Sequence, residues 1–481
     1  LIQTKAYEKD KSKIIRPYST AFDFRLKTYD SRTKTVNNIS TYPPTFTPMY
    51  PDFQYLFQSL LGRPMPEWLS LFKTFGFLVA LSFIGAAWAT SQELKRKEKQ
   101  GLLLPEFHTI TVGKPVTAAE LIISAVIGFI IGFKIGGAFG HFPQVSPDPM
   151  GYLLSGEGNF LGGLIGAAII GYMKYAEKKK EQLPAPKTKR IAVYPHELMT
   201  EIVVVAAVGG LAGAKIFNAF ETWDDFIKDP IHNLTSSSGL TFLGGLIVAT
   251  IVFYFYTRKH HIPFRHMCDA AAPGIMLAYG VGRLGCQFSG DGDWGIYNTA
   301  YLTNPDGSLS AATGPGQAAV HLIGNAPSAF APAPSWLPRW LFGMNYPHNV
   351  GHEGIPIHGC TGDYCSVLPV SVFPTPIYEA ITCIILFFVL WALRKRLKHT
   401  LQMFGTYLIF VGVERFFVEL IRVNYKYDWG FIHPTQAEIL SVVLVVVGAC
   451  ILLFYRDKYD GLPDPTVYPA AAPPEVNMAD K

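Results

Sequence analysis

The sequence predicts an all-α polytopic membrane protein, with about nine transmembrane helices and a small loop-rich extracytoplasmic head. Three observations carry that expectation. Of 481 residues, 49% are hydrophobic and 16% charged, against about 25% charged in ordinary soluble domains. The apolar residues fall in long blocks rather than in amphipathic stripes. The loops between the blocks alternate between basic and nearly uncharged, the pattern of a chain that threads a bilayer.

The apolar windows lie at 70–90, 118–140, 159–176, 199–220, 240–257, 267–288, 376–394, 404–422 and 436–455. The loops after the first, third, fifth, seventh and ninth carry Lys95-Arg-Lys97, Lys178-Lys-Lys180, Arg258-Lys259, Arg394-Lys-Arg396 and Arg456. Basic loops stay in the cytoplasm. The N-terminus and the long 289–372 loop are then expected outside, and the C-terminus inside. The chain divides into an outer tail (1–69), a transmembrane core (70–288), an outer head (289–372), C-terminal transmembrane helices (373–456) and a cytoplasmic tail (457–481).

The formal charge of +5 comes wholly from residues 1–48, which hold nine Lys/Arg against four Asp/Glu. A basic tail on the outer side conflicts with the rule that orients the rest. The tail is therefore expected to lie outside the working protein, with Met49 as an alternative start. The basic balance describes this tail and gives no reason to expect nucleic acid as a partner. Residues 460–481, rich in proline, read as a disordered end.

Two segments repeat. Gly132-Phe-Lys-Ile-Gly-Gly-Ala-Phe139 returns as Gly213-Ala-Lys-Ile-Phe-Asn-Ala-Phe220, and Asn159-Phe-Leu-Gly-Gly-Leu-Ile165 as Thr241-Phe-Leu-Gly-Gly-Leu-Ile247. The repeat is a duplicated helix–loop–helix hairpin (118–176 and 199–257) with both copies running the same way, unlike the inverted repeats of many transporters. Lys134 and Lys215, repeated within it, are expected to snorkel to the outer surface.

The head is rich in Gly, Pro, Asn and Ser, with a turn signal at Asn304-Pro-Asp-Gly307 and strands that are short if present. Cys360 and Cys365 are close enough in sequence to bridge if the head faces an oxidising compartment. Cys268, Cys286, Cys383 and Cys450 read as small buried hydrophobes. His348, His352, Glu353 and His358 cluster in sequence, but loop histidines are more often solvated than metal-bound.

Chemistry is expected where charge enters the apolar windows. A charge in a span costs roughly 2.5–3.5 kcal/mol on insertion scales, so it faces a cavity, a partner or a substrate. Arg415, Glu419 and Arg422 share one helical face, where Glu419 can pair with both guanidiniums; Glu414 lies about 100° away. This is either a salt-bridged stripe between helices or a site for phosphate, which arginine grips as a planar fork. Arg283 lies in Gly282-Arg-Leu-Gly-Cys-Gln-Phe-Ser-Gly-Asp-Gly-Asp-Trp-Gly295. Its glycines permit a close turn, and Asp291 and Asp293 are expected at its mouth as proton acceptors near an anion.

These pieces resemble the prolipoprotein diacylglyceryl transferases over roughly residues 50–456. The glycine–arginine signature of the family is similar to Gly282-Arg-Leu-Gly285. Its charged helix resembles Arg415-Phe-Phe-Val-Glu-Leu-Ile-Arg422, its Pro-Thr motif resembles Pro374-Thr-Pro-Ile-Tyr-Glu379, and its last helix opens like Gln436-Ala-Glu-Ile-Leu-Ser441. The chain departs from the family in four places. The His that precedes a Gly-Gly pair is Leu243 here, and Leu161 in the other copy. Cys286 stands where Asn is usual, Asp291 where Glu is usual, and Phe75 where Tyr is usual. The family has about seven spans, and the duplicated hairpin accounts for nine.

The resemblance implies transfer of a diacylglyceryl group from phosphatidylglycerol to the lipobox cysteine of a prolipoprotein signal peptide. A thioether forms and glycerol 1-phosphate leaves, with no cofactor and no metal, at the bacterial inner membrane. It implies Arg283 and Arg415 on the phosphate, Glu419 orienting Arg415, and Arg422 in support. Asp291 becomes the proton acceptor with Asp293 behind it, Tyr378 and Glu379 shape the outer mouth, and Gly244 and Gly245 let helices or lipid approach. Two other readings fit the sequence: a transporter or channel for an anionic solute or lipid, and a catalytically silent relative that binds lipid.

Overall fold

The structure is a computed structural model, and it describes residues 49–140, 145, 149–236, 239, 241–304, 307–312, 321–360 and 362–455. The basic tail at 1–48, the proline-rich end beyond 455, and residues 305 and 306 of the expected turn lie outside these. Each apolar window contains a long helix: α1 (Thr74–Lys99), α2 (Ala118–Gly140), α3 (Phe160–Glu181), α4 (Met199–Glu221), α5 (Phe242–Lys259), α6 (Phe264–Ser289), α7 (Thr375–Leu393), α8 (Gln402–Glu419) and α9 (Gln436–Phe454). Among the described residues, five are long and apolar enough to cross a membrane: α1, α2, α4 with its preceding turn, α7 and α9. The other four are more polar. α3 and α5 run into basic last turns, α6 carries Arg265, Asp269 and Arg283, and α8 carries Glu414, Arg415 and Glu419.

Apolar side chains cover the outside of these helices. Ile122, Ile123, Val126, Ile127, Ile130 and Ile131 of α2 are all exposed, which is costly in water and natural against lipid tails. The interior is built elsewhere. Ala89, Ala272, Met276, Cys383, Phe387, Leu390 and Met403 form one buried cluster joining α1, α6, α7 and α8. At the opposite end from the head, Asp269 of α6 accepts from Leu401 N at 2.8 Å and Phe404 N at 3.0 Å. It thereby caps the start of α8, whose first N–H groups have no partner within the helix. Lys97 lies 3.8 Å from the same carboxylate, and both residues are buried.

The repeat has a physical basis in glycine. Gly162 of α3 packs on the backbone of Gly132 and Gly136 in α2, and Gly244 of α5 packs on Gly213 in α4. A side chain at any of these would drive into the facing backbone, so each copy closes at a glycine crossing. The two lysines reach from their helices to the loop that joins the two halves of each hairpin. Lys134 Nζ donates to the carbonyls of Tyr152, Ser155 and Glu157 at 2.8, 2.6 and 2.9 Å. Lys215 Nζ donates to those of Asn233 and Ser236 at 3.1 and 2.7 Å. In both copies the ammonium caps carbonyls at the end of a short helix (Pro149–Leu154 and Pro230–Thr235), where helix carbonyls lack partners and the dipole favours a cation.

The all-α expectation needs two corrections. The segments around the first hairpin form an antiparallel ribbon of β1 (Glu106–Val112) and β2 (Lys187–Val193), paired from Glu106 with Val193 to Val112 with Lys187. The β-branched run Thr109-Ile-Thr-Val112 favours this extended form. The head holds a small mixed sheet in which β3 (Tyr297–Thr303) pairs with β4 (Leu309–Ala311), β5 (Ser328–Ala329) and β8 (Val370–Val372). A two-residue pair, β6 (Ile355–Pro356) and β7 (Ser366–Val367), lies beside it. Met49, Met344, Tyr346, Leu368 and Val372 make its core, and Cys360 is disulfide-bonded to Cys365.

Candidate active site

Three segments distant in sequence meet where the head joins the helices. The first follows α6, which continues through Ser289 and ends on Gly290 in the left-handed conformation at φ 64°. Gly292 is also left-handed at φ 94°. The chain thus folds back at once over the helix end, a path a side chain at either position would strain. Backbone bonds then stitch this loop to the other two segments. Gly295 N donates to Phe373 O at 2.8 Å, and Ile296 N donates to Ile421 O at 2.9 Å. Thr375 Oγ1, at the start of α7, donates to Asp293 O at 2.9 Å.

This stitching brings Arg283, Glu379, Arg415, Arg422 and Asp293 together. Glu379 is the hub and is fully buried. Its Oε2 lies 2.5 Å from Arg283 Nε, and its Oε1 lies 2.7 Å from Arg415 Nη1 and 3.4 Å from Arg422 Nη1. Asp293 forms a second bridge, pairing with Arg283 and, at 2.5 Å, with Arg422. Arg415 also lies 3.2 Å from Glu419. Three guanidiniums are thus set against three carboxylates. Such a cluster is electrically balanced, and any one member removed would leave a charge buried without its partner.

The arrangement alters several expected roles. Glu379, expected to shape the outer mouth, is instead the buried centre on which Arg283 and Arg415 converge. Its neighbour Tyr378 donates its hydroxyl to Leu341 O and ties α7 to the head. Glu419 meets Arg415 but not Arg422. It accepts instead from Asn424 Nδ2 at 2.6 Å. The helical spacing of three fails because α8 stops at Glu419, and Arg422 lies in the extended segment beyond, bridged to Gly295. Asp293, not Asp291, joins the guanidiniums. Gly244 and Gly245 face Gly213, Phe217 and Gly210, so what they let approach is another helix.

Asp291 and Asp293 lie past the end of α6 and are held in opposite directions. For Asp293, burial alone would raise the carboxyl, but Arg422 and Arg283 outweigh it and hold the group below the usual carboxylate range. For Asp291, loss of water among the surrounding protein, followed by the nearby charge of Asp293, raises the carboxyl from its ordinary value, although the residue is exposed at the surface. Asp291 therefore takes a proton more readily than Asp293, which is what separates a candidate base from a structural counter-ion.

Arg283 and Arg415 keep 17% and 23% of their side-chain surface exposed, against 9% for Arg422, so an anion reaches the first two more easily. A phosphate there would compete with the carboxylates for guanidinium N–H groups. Of the three paired acids, Asp293 is the most exposed, at 36%. Sequence spacing had weighed Glu414 only as an off-face neighbour. In the structure it is 5% exposed, a signal that an acid inside an apolar window already carried. Among the described residues, the head histidines form no metal-type group: His348 Nδ1 lies 2.6 Å from Tyr364 O and His352 stacks on Tyr364. One group with ligand-like spacing, Cys286 with Asp291 and Asp293, includes an acid already committed to two arginines.

Comparison with known proteins matches these same segments. A family model described as prolipoprotein diacylglyceryl transferase matches residues 185–454. A phosphatidylglycerol–prolipoprotein diacylglyceryl transferase of Leptospira interrogans is 25% identical over 306 residues, covering 53% of this chain and 78% of that protein. Proteins of the same name are 26% identical in Stenotrophomonas maltophilia, covering 53% of this chain and 76% of that one, and 26% identical in Staphylococcus haemolyticus, covering 57% and 78%. The matched region contains every residue of the arginine cluster and excludes α2 and α3.

Proposed function

The chain belongs to the prolipoprotein diacylglyceryl transferase family, and from that premise we propose that it moves diacylglyceryl from phosphatidylglycerol to the lipobox cysteine of prolipoproteins. The observation that carries the reading is the convergence of Arg283 and Arg415, from helices far apart in sequence, on the single carboxylate of Glu379.

The chemistry makes two demands. A thiol with an ordinary pKa near 8.5 must lose its proton, and a phosphate must leave where positive charge meets the charge it gains. Arg283 and Arg415 hold the phosphate, and Arg422 keeps Asp293 beside them. Glu419 orients Arg415, and Glu379 fixes both guanidiniums so that little reorganisation accompanies the reaction. Asp291 takes the thiol proton at the mouth. The thiol's electron pair forms the S–C bond, and the C–O bond to phosphate breaks with its pair on oxygen. In this reading all nine long helices span the bilayer. The head and the arginine cluster face the outer side of the inner membrane, and the basic ends of α1, α3, α5 and α7 face the cytoplasm.

Purified protein incubated with phosphatidylglycerol and a lipobox peptide is expected to yield diacylglyceryl-peptide by mass. Lipid flux across vesicles without that product would favour a transporter instead. The α2–α3 hairpin contributes nothing to the cluster. Excising 113–186 and joining Val112 to Lys187 through Asn-Gly, a two-residue turn suited to an antiparallel ribbon, is expected to leave transfer activity intact. Loss of activity in a folded variant would show that the extra hairpin serves the reaction.

A further inference from the structure

The head presses on the end of α6. Val350 N donates to Ser289 O at 3.0 Å. Gly290 faces Asn349 so closely that a Cβ added to the glycine would lie 2.9 Å from the Asn349 Cβ. Gly292 faces Glu353, whose Oε1 would lie 3.5 Å from a Cβ there. Tyr346 donates its hydroxyl to Gln287 Oε1 at 2.9 Å, and its ring lies 4.8 Å from that of Trp294. Residues 346–353 of the head thus close on the loop that carries Asp291.

One side chain folds that head turn. Asn349 is fully buried. Its Nδ2 donates to the carbonyls of Tyr346, Glu353 and Ser366 at 3.1, 3.0 and 3.2 Å, and its Oδ1 accepts from Glu353 N at 2.8 Å. These bonds close the turn on itself and tie it to β7. The backbone around them is strained. Five non-glycine residues among those described have left-handed φ, and three lie here: Tyr346 at 46°, His348 at 62° and His352 at 52°. Such conformations persist only where the surroundings over-determine them, and they gather at functional sites.

Asp291 depends on this turn for its place. Among the described residues its carboxylate accepts from Asp293 N at 3.3 Å and meets the Cys286 thiol, both on its own segment of chain. The flanking Gly290 and Gly292 leave that segment pliable. Asp293, by contrast, is tied down by Arg283, Arg422 and Thr375. We propose that Asn349 is a positioning residue of the transfer site: it locks the head turn against Ser289, Gly290 and Gly292, and so fixes where the Asp291 carboxylate meets the incoming thiol. The inference rests on the transfer reading, in which Asp291 takes the thiol proton. A base acts within about 2.6–3.2 Å of its proton, so a small shift of the loop is felt in turnover. Arg283 and Arg415 are held by Glu379, so capture of the lipid does not depend on the turn.

Full-length wild type, Asn349→Ala and Gly290→Ala would be assayed with phosphatidylglycerol and a lipobox peptide across pH. Gly290→Ala leaves the Asn349 side chain in place and pushes the loop off the turn, so it serves where alanine at 349 disturbs folding. At about pH 7 each is expected to lower kcat by about 10²-fold, the cost of a displacement of about 1 Å, with KM for lipid unchanged. Asp291 is faced by Cys286 and Arg283 of α6, by Asp293 and by Tyr346, with Glu353 beside Gly292; the readout follows the peptide thiol instead. Above about pH 8.5 that thiol ionises without a base, so the deficit should shrink there, whereas damage to the fold alone would cost the same factor at every pH. Hydrogen exchange over 289–293 should quicken in both variants while α8 exchanges as in wild type. Wild-type kcat in either folded variant, a loss equal at every pH, or unchanged exchange would overturn the inference. A wild type that makes no product would fail the transferase reading itself, and exchange would still decide whether Asn349 holds the loop.

Discussion

Glu379→Gln is expected to abolish transfer and to lower the stability of the folded helices together. The carboxylate is fully buried and meets Arg283, Arg415 and Arg422. Removing one partner from a buried ion pair typically costs about 3–5 kcal/mol, because the remaining charge stays buried without compensation. Glutamine keeps the shape but offers one acceptor oxygen in place of two, and the cluster is left with an uncompensated cation. The guanidiniums then swing away from the position they hold on Glu379. Misplacing a reacting group by about 1 Å can by itself cost about 10²-fold in rate. Thermal unfolding in detergent measures the first effect and product mass the second. A variant with wild-type melting and wild-type product would show that the hub is neither structural nor functional.

Arg415→Ala and Arg283→Ala are each expected to lower kcat by about 10²–10³-fold, the loss seen when one preorganised donor is removed from a developing negative charge. Arg415→Lys is the sharper test. Arg415 reaches Glu379 through Nη1 and Glu419 through Nη2, which a planar fork can do and a single ammonium cannot. Lysine should therefore behave nearly like alanine in turnover while keeping the charge. Because Arg283 and Arg415 share Glu379, the double variant should lose less than the product of the two single losses, a coupling expected of residues in one network. Full activity in either alanine variant would exclude the site.

Much of the fold was legible because apolar blocks need no tertiary information. All nine windows contain helices, and the α2 window matches the helix end to end. The departures have local causes. α1 runs on to Lys99, past the window that ended at 90, because Glu, Leu, Lys and Arg are good helix formers once out of the apolar layer. α8 stops at Glu419 instead of 422 because the chain beyond is taken into a bridge with Gly295. The ribbon of β1 and β2 depends on pairing across the whole first hairpin, and β2 opens on the polar run Lys187-Thr-Lys-Arg190, so only Thr109-Ile-Thr-Val112 carried a local strand signal. The members of the arginine cluster were legible as charges, and their wiring was not. Arg283, Arg415 and Asp293 announced themselves as charges in or beside apolar segments. Spacing could not say that Glu379 would be the centre, nor that Arg422 would turn from Glu419 to Asp293.

By itself, the sequence determined that the chain forms long apolar helices in a set order, that one hairpin is duplicated, and that particular acids and bases are placed where lipid makes them expensive. Those are properties of hydropathy and local periodicity, which act over one or two helical turns. Only the tertiary structure decided which charges neutralise which. That choice depends on the backbone bonds joining 295 and 296 to 373 and 421, between residues up to 125 apart, and ion pairing falls off over a few ångströms. Among the described residues, the same packing left the Glu414 carboxylate buried without a hydrogen-bond partner.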